Sequence, residues 1–183
     1  MILKEVIRGE LLHLDVFSEQ DVSAKYLSWL GDHKINKYLE VRFKTYSESS
    51  AKNYVRYCIN SSDIYFMKIV SEGSGIVGTC TIYLNQNHKT AEIGLMIGEL
   101  SLHNKGFGSE AVRLLTRFCC DELGVRKVSA GVYASNQGSL KVFLKNGYRI
   151  ECRLTAQVLF GDAPEDVCRL AYFNDFHQSP QSK

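Results

Sequence analysis

The chain has 183 residues and 20.7 kDa, with 22 basic and 20 acidic residues for a formal charge of +2. That length suits one domain with a real core. The dispersed charge excludes a bulk electrostatic footprint for nucleic acid, though a small anionic ligand fits it. Cysteines at 58, 80, 119, 120, 152 and 168 form no C-x-x-C pair and no His/Cys cluster at zinc spacing, so reduced thiols, a cytoplasmic setting and no metal are expected. The N-terminus "MILKEVIRGELLHLDV" lacks the apolar h-region of a signal peptide. No apolar run nears the ~18 residues of a membrane span, so no membrane partner is expected.

Residues 6–17 set Leu12, Leu14 and Val16 against His13 and Asp15, an alternation that predicts a first strand. Ser18 follows as a helix N-cap, ahead of a helix carrying Val22, Tyr26, Leu27 and Leu30 and ending near Gly31. Short helices over 33–40 and from 47 come next. After Asp63, "IYFMKIV", "GIVGTCTIYL" and "TAEIGLMIG" are β-rich runs joined by hairpin connections, an antiparallel meander. A long helix follows with Ala111, Leu114, Leu115, Phe118 and Cys119 on one stripe. Residues 125–134 read as a strand, and Asn136 caps a helix whose Leu140, Phe143 and Leu144 face inward until Gly147 stops it. Two last strand-like runs flank the turn "GDAPE" at 161–165, and the tail 177–183 reads as frayed.

The stretch "LHNKGFGSEAVRLLTRF", 102–118, places Gly106 and Gly108 directly before the long helix. Glycine reaches positive φ cheaply and presents no Cβ, and a helix start offers unpaired N–H groups with a partial positive charge. Together these make an anion site, with phosphate the obvious occupant. "GFGSEA" also fits the dinucleotide pattern G-x-G-x-x-A, but that fingerprint belongs after the first strand of a parallel βαβ unit with an acidic residue closing the next strand. Here the turn follows a meander, and Tyr133, Ala134 and Ser135 close the next strand.

The order of helical N-terminal segment, meander, glycine turn, long helix, strand, short helix and final hairpin resembles the GNAT family of acetyl-CoA-dependent N-acetyltransferases over nearly the whole chain. The resemblance implies one domain over residues 1–176 with an α/β (α+β) fold, a mixed, mostly antiparallel central sheet flanked by helices. In that family a Q/R-x-x-G-x-G/A turn wraps the pyrophosphate of coenzyme A with backbone N–H groups. The matching residues are His103, Asn104, Lys105, Gly106, Phe107 and Gly108, with Ser109 next, and His103 departs from the pattern. The segment "ASNQGSLKVFLKNGY" resembles a second family motif, with Asn136, Ser139, Phe143, Gly147 and Tyr148 at the matching places. "AEIG" and the "WLGD" of Trp29–Asp32 resemble the branch of ribosomal-protein alanine acetyltransferases.

The resemblance implies acetyl-CoA as cosubstrate and direct attack by an amine in a ternary complex. The backbone of Leu95, Met96 and Ile97 would hold the pantetheine arm on the central strand, with Asn136, Ser139 and Phe143 beside its thiol end. A Tyr often stands at the Phe143 position and protonates the leaving thiolate. Here Ser139, another hydroxyl or water supplies the proton, or the thiolate leaves unassisted. Glu92, on the same strand, is the candidate general base. Tyr38, Glu40, Arg42 and Phe43 in "KYLEVRF" are the candidate contacts of the acceptor. A small-molecule amine leads: an amino sugar, alone or nucleotide-linked, a polyamine or an aminoglycoside. A protein N-terminus and a non-catalytic coenzyme-A sensor are the alternatives, and the last hairpin's edges suit a monomer or a homodimer.

Overall fold

The structure, a computed structural model, describes residues 6–174. It opens with β1 (Ile7–Arg8) and β2 (Leu12–Val16), joined by a turn in which the Gly9 N–H donates to the Leu12 carbonyl at 2.9 Å. The single strand expected over 6–17 is therefore a tight hairpin. Its cause lies about a hundred residues on, where the Glu110 carboxylate accepts the backbone N–H of Glu10 and, at 3.0 Å, that of Leu11. Glu110 is only 7% exposed, and a straight strand would withdraw those partners from a buried charge at a cost of about 1–3 kcal/mol.

Ser18 starts only a 3₁₀ turn, Glu19–Asp21; Ser23 is the cap of α1 (Ala24–Gly31), its hydroxyl accepting from the Tyr26 amide at 3.2 Å. The helix expected over 33–40 stops early: α2 is His33–Asn36, and Glu40–Phe43 forms a second 3₁₀ turn. α3 (Glu48–Asn60) starts at Ser47, whose hydroxyl accepts from the Ser50 amide.

The meander follows as expected, with β3 (Ile64–Ser71), β4 (Gly75–Asn85) and β5 (Thr90–Ile97) antiparallel in sequence. α4 (Phe107–Arg117) continues as a π-helical turn, Phe118–Glu122, and leads to β6 (Lys127–Tyr133) and α5 (Gln137–Lys145). β7 (Arg149–Phe160) and β8 (Ala163–Phe173) close the chain, and their connection is Gly161 and Asp162 rather than the whole of 161–165. The eight strands form one sheet in the order β1-β2-β3-β4-β5-β6-β8-β7, with β5–β6 the parallel pair. It is the mixed, mostly antiparallel sheet with flanking helices that the sequence predicts. The expected frayed tail, 177–183, lies outside the described residues.

Each face of the sheet carries a core. Leu14, Ile69, Ile82 and Val128 pack with Leu115 of α4 and Leu140 of α5 on one side. Phe17, Phe66 and Met96 pack with Tyr26, Trp29 and Val55 of α1 and α3 on the other. Each such side chain contributes about 1.5–3 kcal/mol by leaving water. Leu144, expected inward, is 46% exposed. It follows Phe143 by one residue, so the helix turns it about 100° away from the face that Leu140 and Phe143 bury.

Trp29 of the "WLGD" segment lies across the end of β5, where a Cβ on Gly98 would stand 2.1 Å from its indole. This contact sets the height of the α1–α2 layer over the central strand. Gly98→Ala should therefore displace the indole and lower stability by about 1–3 kcal/mol. Chemical denaturation should show a lower midpoint at unchanged slope, and an unchanged midpoint would mean that Trp29 is not seated there.

Candidate active site

β5 and β6 pair only through Thr90↔Lys127, Ala91↔Val128 and Glu92↔Ser129. Past that point β5 follows β4 as far as Gly78↔Ile97, while β6 follows β8 as far as Tyr133↔Val167. The two strands part, and the inner edges of residues 93–97 and 130–133 face a wedge instead of a ladder. Unpaired backbone groups in such a gap are ready-made partners for an extended amide chain. Leu95 and Ile97 turn their side chains to the α4–α5 core and Met96 turns its own to the α1–α3 core. Successive strand residues send their backbone groups to opposite edges, so those of Leu95 and Ile97 face the wedge, while the Met96 carbonyl lies against Gly78 of β4 and Met96 is not the backbone contact expected of it.

At the end of β5 the glycine turn enters α4. Gly106 sits at φ 92°, the left-handed region, and Asn104 at φ 62°. His103 and Lys105 donate their backbone N–H groups to Leu100 and Leu102 at 3.1 and 3.3 Å. Those of Asn104, Gly106, Phe107, Gly108 and Ser109 have no backbone acceptor among the described residues. The expected run of successive donors is thus interrupted at His103 and Lys105. Phe107 turns its ring into the core at 9% exposure and offers the cradle its amide alone. A Cβ on Gly108 would lie 4.0 Å from both Ile97 Cγ1 and Val142 Cγ2, an ordinary contact. The fold itself does not demand glycine at 108, yet a helical glycine costs about 1 kcal/mol against alanine.

His103 does more than hold a backbone position. Its Nε2 hydrogen-bonds the Ile97 carbonyl at 2.8 Å and so ties the turn to the end of β5, using one lone pair of a group expected to serve the pantetheine arm. Behind the turn, Asn146 donates to the carbonyl and the hydroxyl of Ser109, both at 3.1 Å, and docks the end of α5 on the start of α4.

On the α5 side, Asn136 Oδ1 accepts from the Ser139 amide at 3.2 Å, so Asn136 caps the helix. The Ser139 hydroxyl is half-buried and makes no hydrogen bond among the described residues. Phe143 is 2% exposed, its ring edge-on to Tyr148 at 5.0 Å. The expected contact of Phe143 with the cofactor meets a packed core ring.

The other face of the wedge carries Glu92, Gly94, Gly131 and Tyr133. Glu92, the candidate general base, is ion-paired, because Arg169 of β8 donates to both of its oxygens at 2.9 Å. The guanidinium passes over β6 at Gly131, where a Cβ would meet its Nη1 at 3.0 Å. The hydrogen bonds to Glu92 raise the pKa of Arg169, so both oxygens of Glu92 face a firmly charged guanidinium.

Tyr38, Glu40, Arg42 and Phe43 gather at the far end of this face, around Tyr133. Tyr38 stacks on Phe160 at 5.1 Å and lies edge-on to Tyr133 at 5.9 Å, with its hydroxyl accepting from Ser135 at 3.3 Å. Arg42 is spent on structure: its guanidinium donates to the Leu39 carbonyl (3.0 Å), the Tyr133 hydroxyl (2.9 Å) and the Leu159 carbonyl (3.0 Å). Its side chain is 10% exposed, whereas that of Glu40 is 75% exposed and Phe43 is 65% exposed. Burial raises the Tyr133 pKa; Glu40 raises it further and Arg42 opposes the shift.

Residues 12–149 match the family model of the acetyltransferase (GNAT) domain. The chain belongs to the GNAT acetyltransferase family. Among curated relatives, it is 30% identical over 115 residues to "Probable N-acetyltransferase YjcK" of Bacillus subtilis, and the match spans 61% of this chain and about 62% of that relative's length. It is also 30% identical over 130 residues to "Uncharacterized N-acetyltransferase p20" of Bacillus licheniformis, covering 68% of this chain and 70% of p20. The spermidine N-acetyltransferase of Vibrio cholerae, solved with CoA and spermine, superposes with a TM-score of 0.81 at 17% identity, covering 90% of this chain and 96% of its own. RimL, a ribosomal L7/L12 alpha-N-protein acetyltransferase solved with coenzyme A, gives 0.81 at 18% identity, covering 93% and 99%.

Four residues of this GNAT site lay beyond the sequence reading. Arg169, Glu110 and Phe160 gave no local signal, since their partners are 77, about 100 and about 120 residues away and only the register brings them together. Asn146 was within reach of sequence, as the residue before a helix-ending glycine, but its partner Ser109 was not.

If the cradle works as drawn, Gly108→Val should weaken acetyl-CoA binding by about a hundredfold or more by isothermal titration, through a side chain standing where phosphate approaches. His103→Ala should weaken it by about three- to tenfold, the worth of one hydrogen bond that holds the turn. Equal losses would show that the imidazole itself carries phosphate.

Proposed function

We propose that the chain transfers the acetyl group of acetyl-CoA to a primary amine by direct attack in a ternary complex, in the cytoplasm. The observation that carries this reading is the wedge between β5 and β6 with the glycine turn of α4 at its end. Unpaired amides at Asn104, Gly106, Phe107, Gly108 and Ser109 suit a pyrophosphate, the free inner edge of 93–97 suits the amides of a pantetheine arm, and family membership supports the pairing. Bound acetyl-CoA supplies an acetyl group activated as a thioester. Backbone groups of Leu95 hold that arm in register, and Ser139, whose hydroxyl is unengaged and whose amide sits on the Asn136 cap, gives a proton to the departing sulfur.

The thiols of Cys80, Cys119 and Cys120 are not suited to covalent relay. Burial pushes the thiols of Cys80 and Cys119 far up and that of Cys120 up to about 11, with Asp121 adding to the last. All six cysteines are free. Among the described residues no helix is long and apolar enough to cross a membrane, and no group of three His, Cys, Asp or Glu side chains gathers as a metal site.

The acceptor enters from the face of Gly94 and Gly131. Its far end is a compact patch of Tyr38, Glu40 and Phe43, which favours a small polar amine such as an amino sugar, a nucleotide-linked amino sugar, a polyamine or an aminoglycoside. A protein N-terminus is the second reading, favoured by the open floor at Gly94, where a Cβ would meet nothing within 4 Å. Glu92 enters as a wall of this face held by Arg169.

Release of thiol from acetyl-CoA should be followed across glucosamine, a UDP-linked amino sugar, spermidine, kanamycin and an alanine-headed tetrapeptide. Turnover on at least one is expected; tight cofactor binding with no turnover on any would leave a coenzyme-A sensor. On the best acceptor, Glu92→Gln should keep kcat within about threefold and its pH profile unchanged. It should also lower stability by about 0.2–1 kcal/mol, as for an exposed ion pair. Loss of activity with a displaced pH profile would return Glu92 to the role of base.

A further inference from the structure

We propose that Glu40 is the carboxylate that receives the acceptor's ammonium group, with Tyr133 as its positioning residue. The inference rests on the acetyltransferase reading of the same wedge. Tyr133 ends β6 four residues past Ser129, the last partner of β5, which places it about 13 Å along the open part of the wedge. Strand alternation sets Val128, Ala130 and Val132 in the α4–α5 core, so Tyr133 and Gly131 belong to the opposite face with Glu92 and Gly94. That is the side from which an acceptor meets a thioester held along β5.

The hydrogen bonds around Tyr133 have only one consistent direction. A guanidinium donates and never accepts, so the phenol oxygen accepts from Arg42 at 2.9 Å and its single proton goes to Glu40 Oε1 at 2.7 Å. Arg42 Nη1 stands 3.8 Å from that same oxygen, near enough to attract and too far to share it. Glu40 Oε2 makes no hydrogen bond among the described residues. The carboxylate is thus held by one oxygen and open at the other. Of the other acids of this region, Glu92 is closed by Arg169 and Asp166 accepts from Arg153 and the Ala156 amide, while Glu165, like Glu40, is held through one oxygen, by the Ser135 amide, but lacks the adjoining aromatic rings and so serves as the control. Beside Glu40 the rings of Tyr38, Tyr133 and Phe160 form an aromatic wall, a surface that attracts a cation.

An alkyl amine reaches the site as ammonium and reacts as the free base. One proton passes from nitrogen to Glu40 Oε2 and on to solvent, which the 75% exposure of this side chain permits. The C–N bond then forms as the C–S bond breaks, and the second proton leaves nitrogen and reaches the departing thiolate by way of the Ser139 hydroxyl.

The test compares Glu40→Gln, Tyr133→Phe, their double variant and Glu165→Gln on the best acceptor of the amine panel. Glu40→Gln should raise the amine KM by about tenfold or more and leave the acetyl-CoA KM within about twofold. Tyr133→Phe should raise the amine KM by about three- to tenfold with the acetyl-CoA KM unchanged and the chain still folded at the assay temperature, and the double variant should lose no more than Glu40→Gln alone, since the phenol acts through the carboxylate. Additive losses, an unchanged amine KM in Glu40→Gln, or a larger loss in Glu165→Gln would each overturn the proposal while the acetyltransferase reading stood. A wild-type chain that binds acetyl-CoA and acetylates nothing in the panel would overturn that reading, and this inference with it.

Discussion

Parallel pairing between β5 and β6 lasts for three residues, and the shortness of that ladder governs the rest of the molecule. Both strands keep their other neighbours beyond Glu92 and Ser129, so neither is free to close the gap. A sheet interior normally leaves no backbone group without a partner. Here five residues of β5 and four of β6 face one another across open space, and the α4 and α5 N-termini stand on one side of it. An extended amide chain with an anionic end satisfies both features at once.

The gap is held open by contacts around its rim. Arg169 reaches over Gly131 to grip Glu92 at the point where pairing stops, which staples β8 to β5 across β6. His103 ties the glycine turn to the last carbonyl of β5, Asn146 ties α5 to Ser109, and Glu110 ties the start of α4 to the β1–β2 turn. On the far rim Arg42 joins the Glu40–Phe43 turn to β6 and β7 through Tyr133 and Leu159. The half-exposed Arg169–Glu92 pair contributes about 1 kcal/mol or less, and the contacts of the buried Glu110 carboxylate contribute more. They act on elements already fixed by the two cores, and so only have to set positions to within a fraction of an ångström.

Local chemistry was legible where it is local. Alternation gave the meander, the helical stripe of Ala111, Leu114 and Leu115 gave α4, and Asn136 and Gly147 gave the ends of α5. What misled was local evidence overruled at a distance: a strand signal over 6–17 bent by Glu110, and an inward Leu144 turned out by one helical step. The site shows the same division. Gly106 marks the turn into α4 because its positive φ favours glycine, and the "KYLEVRF" group does assemble around Tyr133. The roles within the group were not legible, since Arg42 and Glu40 look alike as charged neighbours in sequence. One has a buried side chain that donates three hydrogen bonds, and the other is exposed with an oxygen to spare. The ion pair of Glu92 was not legible either, because its partner is 77 residues away on β8.

The central claim, that coenzyme A lies in this wedge with its pyrophosphate on the glycine turn, is tested most directly by backbone hydrogen exchange with and without acetyl-CoA. Slowed exchange is expected at Asn104 and Gly106–Ser109, along residues 93–97 and at the start of α5, with little change in β1–β3 or α3. Protection elsewhere, or none at the turn while the cofactor is bound, would contradict it.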